Sequence, residues 1–286
     1  MKSLSFVSII FLTLFLFSCQ KEIDWGLGGG GNTSGKILVK IKSKTGTDTT
    51  QLDYYYDANK RLIREKTNGV SAGNNLNNDL IINRNSTGII TTTVQKAAAL
   101  ISAGIDSVVT RFNYNTANSK YTSSVFDLAI PGFAVSDSAV YTYDAAGRIS
   151  GDAHYLQISG LPIPVPPILA LKNYYIYSAS GNNLDSIKQE ATTTPGGPLS
   201  PVAAQAYRFD SKTNPLIIGT EAILTGRTGF YNSNNASKAV VTNTIDPTQD
   251  FIMDYTYKYN GANKPDSSYG TRTPGGAITA TKYFYQ

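Results

Sequence analysis

Apolar and polar residues alternate along most of this 286-residue chain after position 36. Met253, Tyr255, Tyr257 and Tyr259 fall on one side of the alternation, with Asp254, Thr256, Lys258 and Asn260 on the other. Phe112 and Tyr114 oppose Arg111, Asn113 and Asn115, and Tyr141 and Tyr143 oppose Val140, Thr142 and Asp144. A period of two with one aromatic face predicts half-buried antiparallel strands, because successive side chains of a strand point to opposite faces. Tyr, Thr, Val, Ile and Phe are plentiful, and these fit a pleated surface. Helical signals are rare, and the best of them, Gln95–Ala103, is short.

A local phrase recurs along the alternating pattern. Tyr56-Asp57-Ala58-Asn59-Lys60 precedes Arg61-Leu62, and Tyr143-Asp144-Ala145-Ala146-Gly147 precedes Arg148-Ile149. Weaker copies begin at Arg84, Tyr114, Tyr177, Phe209 and Tyr259, so the spacings are 28, 30, 29, 34, 32 and 50 residues. A near-constant period with one insertion marks a repeat architecture. The phrase encodes a turn: Asp, Asn or Ser bonds the backbone two residues on, and Gly or Asn accepts positive φ. Lys60 fits that place poorly, so Asn59 is expected to take the left-handed position.

Each repeat is then one hairpin. Seven hairpins, a first strand at Lys36–Ser43 and a last at Lys282–Gln286 predict about 14–16 strands. The lysines at 36, 40, 42 and 44 alternate along what reads as an edge strand, where they protect against edge pairing. Links at the far ends of the hairpins look long: Asn68–Asn78, Leu128–Ser136, Ile158–Leu171, Thr192–Ala204 and Ile217–Lys238. Tight turns on one rim and long loops on the other place function on the loop rim. One of these links, Leu161–Leu169, is rich in proline and apolar, fit either to fold over the core or to contact a partner or membrane. The expected fold is all-β: an antiparallel meander forming a large curved sheet or barrel-like shell. It is expected to be soluble, since the face opposite the tyrosines carries Lys, Arg, Asp and Asn instead of the apolar band of lipid-facing strands. Tyrosines inside need partners, so the inner face should be partly polar.

The first residues break the pattern. A short positive start, Met1-Lys2-Ser3, leads into the apolar run Leu4–Phe17, which closes at Ser18-Cys19. This has the form of a secretory signal, too short for a membrane span. Leu16-Phe17-Ser18-Cys19 resembles the bacterial lipobox. The resemblance implies cleavage after residue 18 and lipidation of Cys19, with three acyl chains and permanent attachment to a membrane. The short charged segment Gln20-Lys21-Glu22 is similar to the export tag of surface-displayed lipoproteins in some Gram-negative bacteria, which implies an outer-membrane, surface-exposed location. The expected organisation is a signal peptide at 1–18, a Gly-rich lipid-anchored tether at 19–35 and one β-meander domain at 36–286. The tether is not a phosphate loop, because no Gly-Lys-Ser/Thr ending follows its glycines.

Charge and chemistry exclude more than they assign. Removal of 18 residues leaves 24 Lys and Arg against 20 Asp and Glu, a formal +4. This mild excess without a clustered basic stripe argues against nucleic acid. With Cys19 the only thiol, stability must come from packing and not from disulfides. The single histidine, His154, reads as an exposed structural residue near a strand end, and no Gly-x-Ser-x-Gly elbow accompanies it. One His and one Cys cannot build a typical zinc set, and no calcium loop or cofactor motif appears. Asp57, Asp144 and Asp210 are better explained as turn formers than as a glycosidase pair, and Asp137 and Asp266 as loop-edge residues.

The Tyr-Asp turns before Gly-Arg-Leu/Ile resemble the YD repeats of large bacterial shell proteins. A closer likeness, over most of 36–286, is to a family of bacterial surface lipoproteins described as having a porin-like β fold. It rests on Phe209–Leu216, Ser233-Asn234-Asn235 before Val240-Val241, Tyr255–Asn260 with Lys264-Pro265, and Lys282–Tyr285. That family carries no agreed activity. The expected function is a non-enzymatic, lipid-anchored binding or scaffold module with a glycan or protein partner at its long loops. A carboxylate-based glycan hydrolase and a purely structural envelope component are the alternatives.

Overall fold

The computed structural model describes residues 36–71, 73–130, 133–160, 166–181, 183–192, 194 and 196–286. The signal, Cys19 and the tether lie outside the described residues. Sixteen strands follow one another in a meander: β1 Leu38–Thr45, β2 Asp48–Tyr56, β3 Leu62–Ser71, β4 Asn74–Arg84, β5 Ile90–Ala97, β6 Val108–Asn115, β7 Lys120–Ile130 and β8 Phe133–Tyr143. The second half comprises β9 Ile149–Ser159, β10 Ile168–Tyr177, β11 Leu184–Thr192, β12 Leu199–Thr213, β13 Asn234–Asn243, β14 Phe251–Tyr259, β15 Pro265–Thr273 and β16 Ile278–Tyr285. Every neighbour is antiparallel, and β16 pairs with β1, so the sheet closes into a barrel.

Closure decides between the two expected forms, a large curved sheet and a barrel-like shell, in favour of the barrel. It also removes the footing of the soluble shell, since sixteen closed strands are an architecture of porins too. β1 is no edge strand: β2 pairs with it on one side and β16 on the other. The outward positions nonetheless carry charges in cross-strand order. Lys40, Asp53, Lys66, Asp79 and Lys96 stand directly opposite one another from β1 to β5. Opposite charges placed this way stabilise the sheet.

The repeated phrase builds one rim. Asp57 accepts from the backbone N–H of Asn59 and Arg61, and Asp144 accepts from that of Arg148. At Lys60 φ is +61°, so Lys60 and not Asn59 takes the left-handed position. The register slips by one residue beside Tyr56, Arg84, Tyr114, Tyr143, Tyr177 and Tyr259, a bulge next to each turn. Tyrosine hydroxyls from this rim donate to backbone carbonyls on the preceding strand: Tyr56 to Leu38, Tyr143 to Tyr121, Tyr177 to Ile149 and Tyr285 to Pro265. The Tyr of the phrase therefore belts one repeat to the next.

Other expectations shift. The copy at Phe209–Thr213 lies within β12 and is not a turn. Asn68–Asn78 and Leu128–Ser136 are mostly strand in two hairpins. Gln95–Ala97 ends β5, leaving only α1, Ala98–Ser102, as helix. The largest correction concerns 214–233. It belongs to the tight-turn rim, and it folds into the barrel as α2, Thr220–Leu224, and a 3-10 turn, Thr228–Tyr231.

Candidate functional site

A barrel of this strand number is wider than the eight-stranded barrels that side chains just fill. Here the chain supplies its own stopper. Leu216, Ala222, Ile223 and Leu224 are buried in one cluster with inward side chains of the wall, among them Leu52, Leu62, Leu80, Ile82 and Ile90. Two ion pairs hold the stopper. Arg84 makes a two-pronged contact with Glu221 at 2.5 and 2.6 Å and also donates to the carbonyls of Gly88 and Leu62. Arg227 meets Glu65 at 2.9 and 3.1 Å.

The base of the stopper is clamped by asparagines. Asn183 accepts from the N–H of Ser233 and Asn234, and its amide donates to the Asn234 side chain. Asn232 accepts from the N–H of Leu184 at 2.6 Å, and Asn214 donates to the Asn232 carbonyl at 2.7 Å. Asn235 donates to the carbonyls of Lys212 and Thr213 and to the Tyr259 hydroxyl. Asp210, expected as a turn former, accepts from the N–H of Lys212 and Asn235 and from the Tyr259 hydroxyl. Amides suit this task, because each offers donors and an acceptor to loop backbone that no ladder satisfies.

Beyond the stopper the inward face turns polar. Ser43 meets Thr281 at 3.0 Å across the β1–β16 junction, and Ser268 meets the Tyr283 hydroxyl at 2.9 Å. The densest cluster spans β8 to β11. His154 Nδ1 lies 3.0 and 3.1 Å from the two Asp137 oxygens, and its Nε2 lies 3.0 Å from Asp152 Oδ1. Asp152 also accepts from Asn173 at 2.6 Å and from the Tyr175 hydroxyl at 2.7 Å, and Gln189 donates to Asn173 at 2.8 Å.

His154 is thus not at an exposed strand end. It sits mid-strand on β9 and faces inward, while Asp137 is a buried mid-strand residue of β8. Burial works against its charge, but the hydrogen bonds and charges of Asp137 and Asp152 raise its pKa to about 10. Both ring nitrogens donate, so His154 is an imidazolium at neutral pH with no lone pair to act as a base. Its side chain keeps 22% of its surface accessible although it lies inside the wall, so the interior holds water-sized space. Of the other expected residues, Asp57 and Asp144 remain on the turn rim, and Asp266 is exposed at the start of β15. Sequence reasoning missed the cluster because Asp137 is brought to Asp152 and His154 only by the pairing of β8 with β9.

The opposite rim carries the connections after β5, β9, β11 and β13. Its aliphatic tips Ile101, Ile245 and Ile278 are 55%, 57% and 58% exposed. No protein-family model matches the chain, and no curated protein does. Its fold is similar to that of a porin-like protein from Bacteroides uniformis, at 11% identity with a TM-score of 0.51, covering 87% of this chain and 98% of that one. It is equally similar to a porin-like protein from Bacteroides vulgatus, at 10% identity and a TM-score of 0.51, covering 88% and 99%. At such identities the likeness is one of fold, and the porin-like β fold implied by the sequence resemblance agrees with it.

Proposed function

We propose that this chain is a non-enzymatic envelope protein, lipid-anchored to the outer membrane through Cys19, that presents its loop rim to a glycan or protein partner. The observation that carries this reading is the entry point of the chain. Ile37 exchanges backbone hydrogen bonds with Gln286 at 2.9 Å each, and β1 begins there, on the stoppered rim. A lipid on Cys19 therefore holds the stoppered rim toward the bilayer. The rim bearing Ile101, Ile245 and Ile278 then points away from it.

The non-enzymatic part is supported by His154. The only histidine is held as a cation between the two carboxylates that a glycosidase reading would otherwise use, Asp137 and Asp152. Photo-crosslinkers placed at 101 and 245 should capture a partner on intact producing cells, and those at 59 and 146 on the turn rim should not. Capture from the turn rim alone would contradict the orientation, and turnover of a bound polymer would contradict the non-enzymatic reading.

A further inference from the structure

Closure of the barrel leaves one feature of the outer wall without its obvious explanation. Lysines on β1 would guard a free edge, but β1 has none. Across the junction Lys42 stands directly opposite Lys282, and Lys282 faces Ser267, which faces Lys258 on β14. Lys44 lies two residues further along β1 on the same outward face. All four are exposed, and none has a carboxylate partner among the described residues. On the flanking strand β2 Asp53 is held by Lys40, and within the seam, on β14, Asp254 is held by Lys238 of β13. From β1 to β5 every outward lysine of the charge ladder meets an aspartate, so the unbalanced stretch is local to the seam.

Like charges directly opposite each other destabilise a sheet, so this arrangement is held against a local cost. Two large rings share the face. Tyr269, opposite Ala280, is 46% exposed, and Phe284, opposite Lys40, is 41% exposed. Exposed ammonium groups interleaved with exposed rings match a chain of sugar rings that bears negative groups. The ammonium groups attract carboxylates or sulfates as point charges, and flat apolar ring faces pack against pyranose faces. We propose that the β14–β15–β16–β1 seam binds an acidic polysaccharide laid along the outer wall. This site lies on the wall and not on the loop rim, so it stands apart from the partner reading above.

The test measures binding of the full chain to polygalacturonate, neutral dextran, inorganic polyphosphate, a single-stranded oligonucleotide and anionic vesicles. Polygalacturonate should bind and dextran should not. Lys42→Gln with Lys282→Gln should weaken polygalacturonate binding by about fivefold to tenfold, the size of two exposed ion pairs. Lys44→Gln with Lys258→Gln should do the same, and the distant pair Lys96→Gln with Lys188→Gln should not. The Lys42/Lys282 variant should melt at or above the parent temperature, because a like-charge pair is removed. Tyr269→Ala with Phe284→Ala should weaken polygalacturonate by about fivefold and leave polyphosphate unchanged. Equal losses from the distant lysine pair would overturn the proposal, as would an absence of any ring effect. Tighter lysine-dependent binding of the oligonucleotide or the vesicles would overturn the identity of the ligand.

Discussion

The two rims of this barrel are made from the same meander and end differently. On the turn rim, the Tyr-Asp phrase closes tight turns, the hydroxyls of Tyr56, Tyr143 and Tyr177 belt their strands to the preceding ones, and the longest connection dives inward to become core. On the other rim, Ile101 and Ile245, on the connections after β5 and β13, are exposed. The difference teaches that loop length alone does not mark a functional surface. A long connection that carries Leu216, Ile223 and Leu224 is recruited to fill a lumen that its own strands cannot fill.

Replacement of 214–233 by an Asn-Gly turn should have the largest effect. Burial of Leu216, Ile223 and Leu224 is worth roughly 5–9 kcal/mol at about 1.5–3 kcal/mol each, comparable with the whole stability of a typical domain. The variant is expected to lose cooperative unfolding in urea, whereas shortening the 244–250 connection should cost about 1 kcal/mol or less. A stopperless barrel with an unchanged urea midpoint would erase the contrast between the rims.

His154→Ala probes the polar interior between the rims. It leaves two buried carboxylates facing each other and should cost about 3–5 kcal/mol, read from chemical denaturation. The pH dependence has a definite sign. The folded pKa of His154 is raised, so its contribution is full below about 6.5, the ordinary histidine value. It is then lost as pH climbs toward about 10. Stability that is flat over this window in the parent, or that falls equally in His154→Ala, would separate the cluster from the fold.

Smaller substitutions sharpen the turn rim against the loop rim. Lys60→Gly should stabilise the barrel by about 1 kcal/mol, because a left-handed residue with a Cβ is replaced by one without. Thermal melting reads this as a rise in Tm, and a fall would mean that the Lys60 side chain contributes more than its backbone strain costs. Ile245→Ser on the loop rim should change stability by no more than about 0.5 kcal/mol, while lowering the amount of partner crosslinked from position 101 of the same rim. A large loss of stability would make Ile245 a core residue in disguise.

The strands and the turn rim were legible in the sequence for local reasons. Alternation at Met253–Asn260 and the Asx-bonding residues Asp57 and Asp144 act within a few positions, so pattern and outcome coincide. What depended on distant pairing was not legible. Strand closure joins Ile37 to Gln286, and nothing near either residue announces it. The stopper looked like a surface loop because its apolar residues are short of a helical period, and their burial is decided by the width of the lumen. His154 looked exposed because Ala153 and Tyr155 flank it, and its partners come from β8 and from two residues back on β9. The asparagines Asn234 and Asn235 were visible as part of a family resemblance, but their role as a clamp needed the backbone of β12 beside them.

The central claim is that 214–233 is core and not loop. Amide hydrogen exchange on the native protein tests it most directly, comparing the N–H groups of Ala222, Thr225 and Arg227 with those of the 244–250 connection. The first three are bonded to the carbonyls of Gly219, Glu221 and Ala222. They should exchange as slowly as the amides of β3 and β4, opening only with global unfolding. Exchange as fast as in the 244–250 connection would contradict the account.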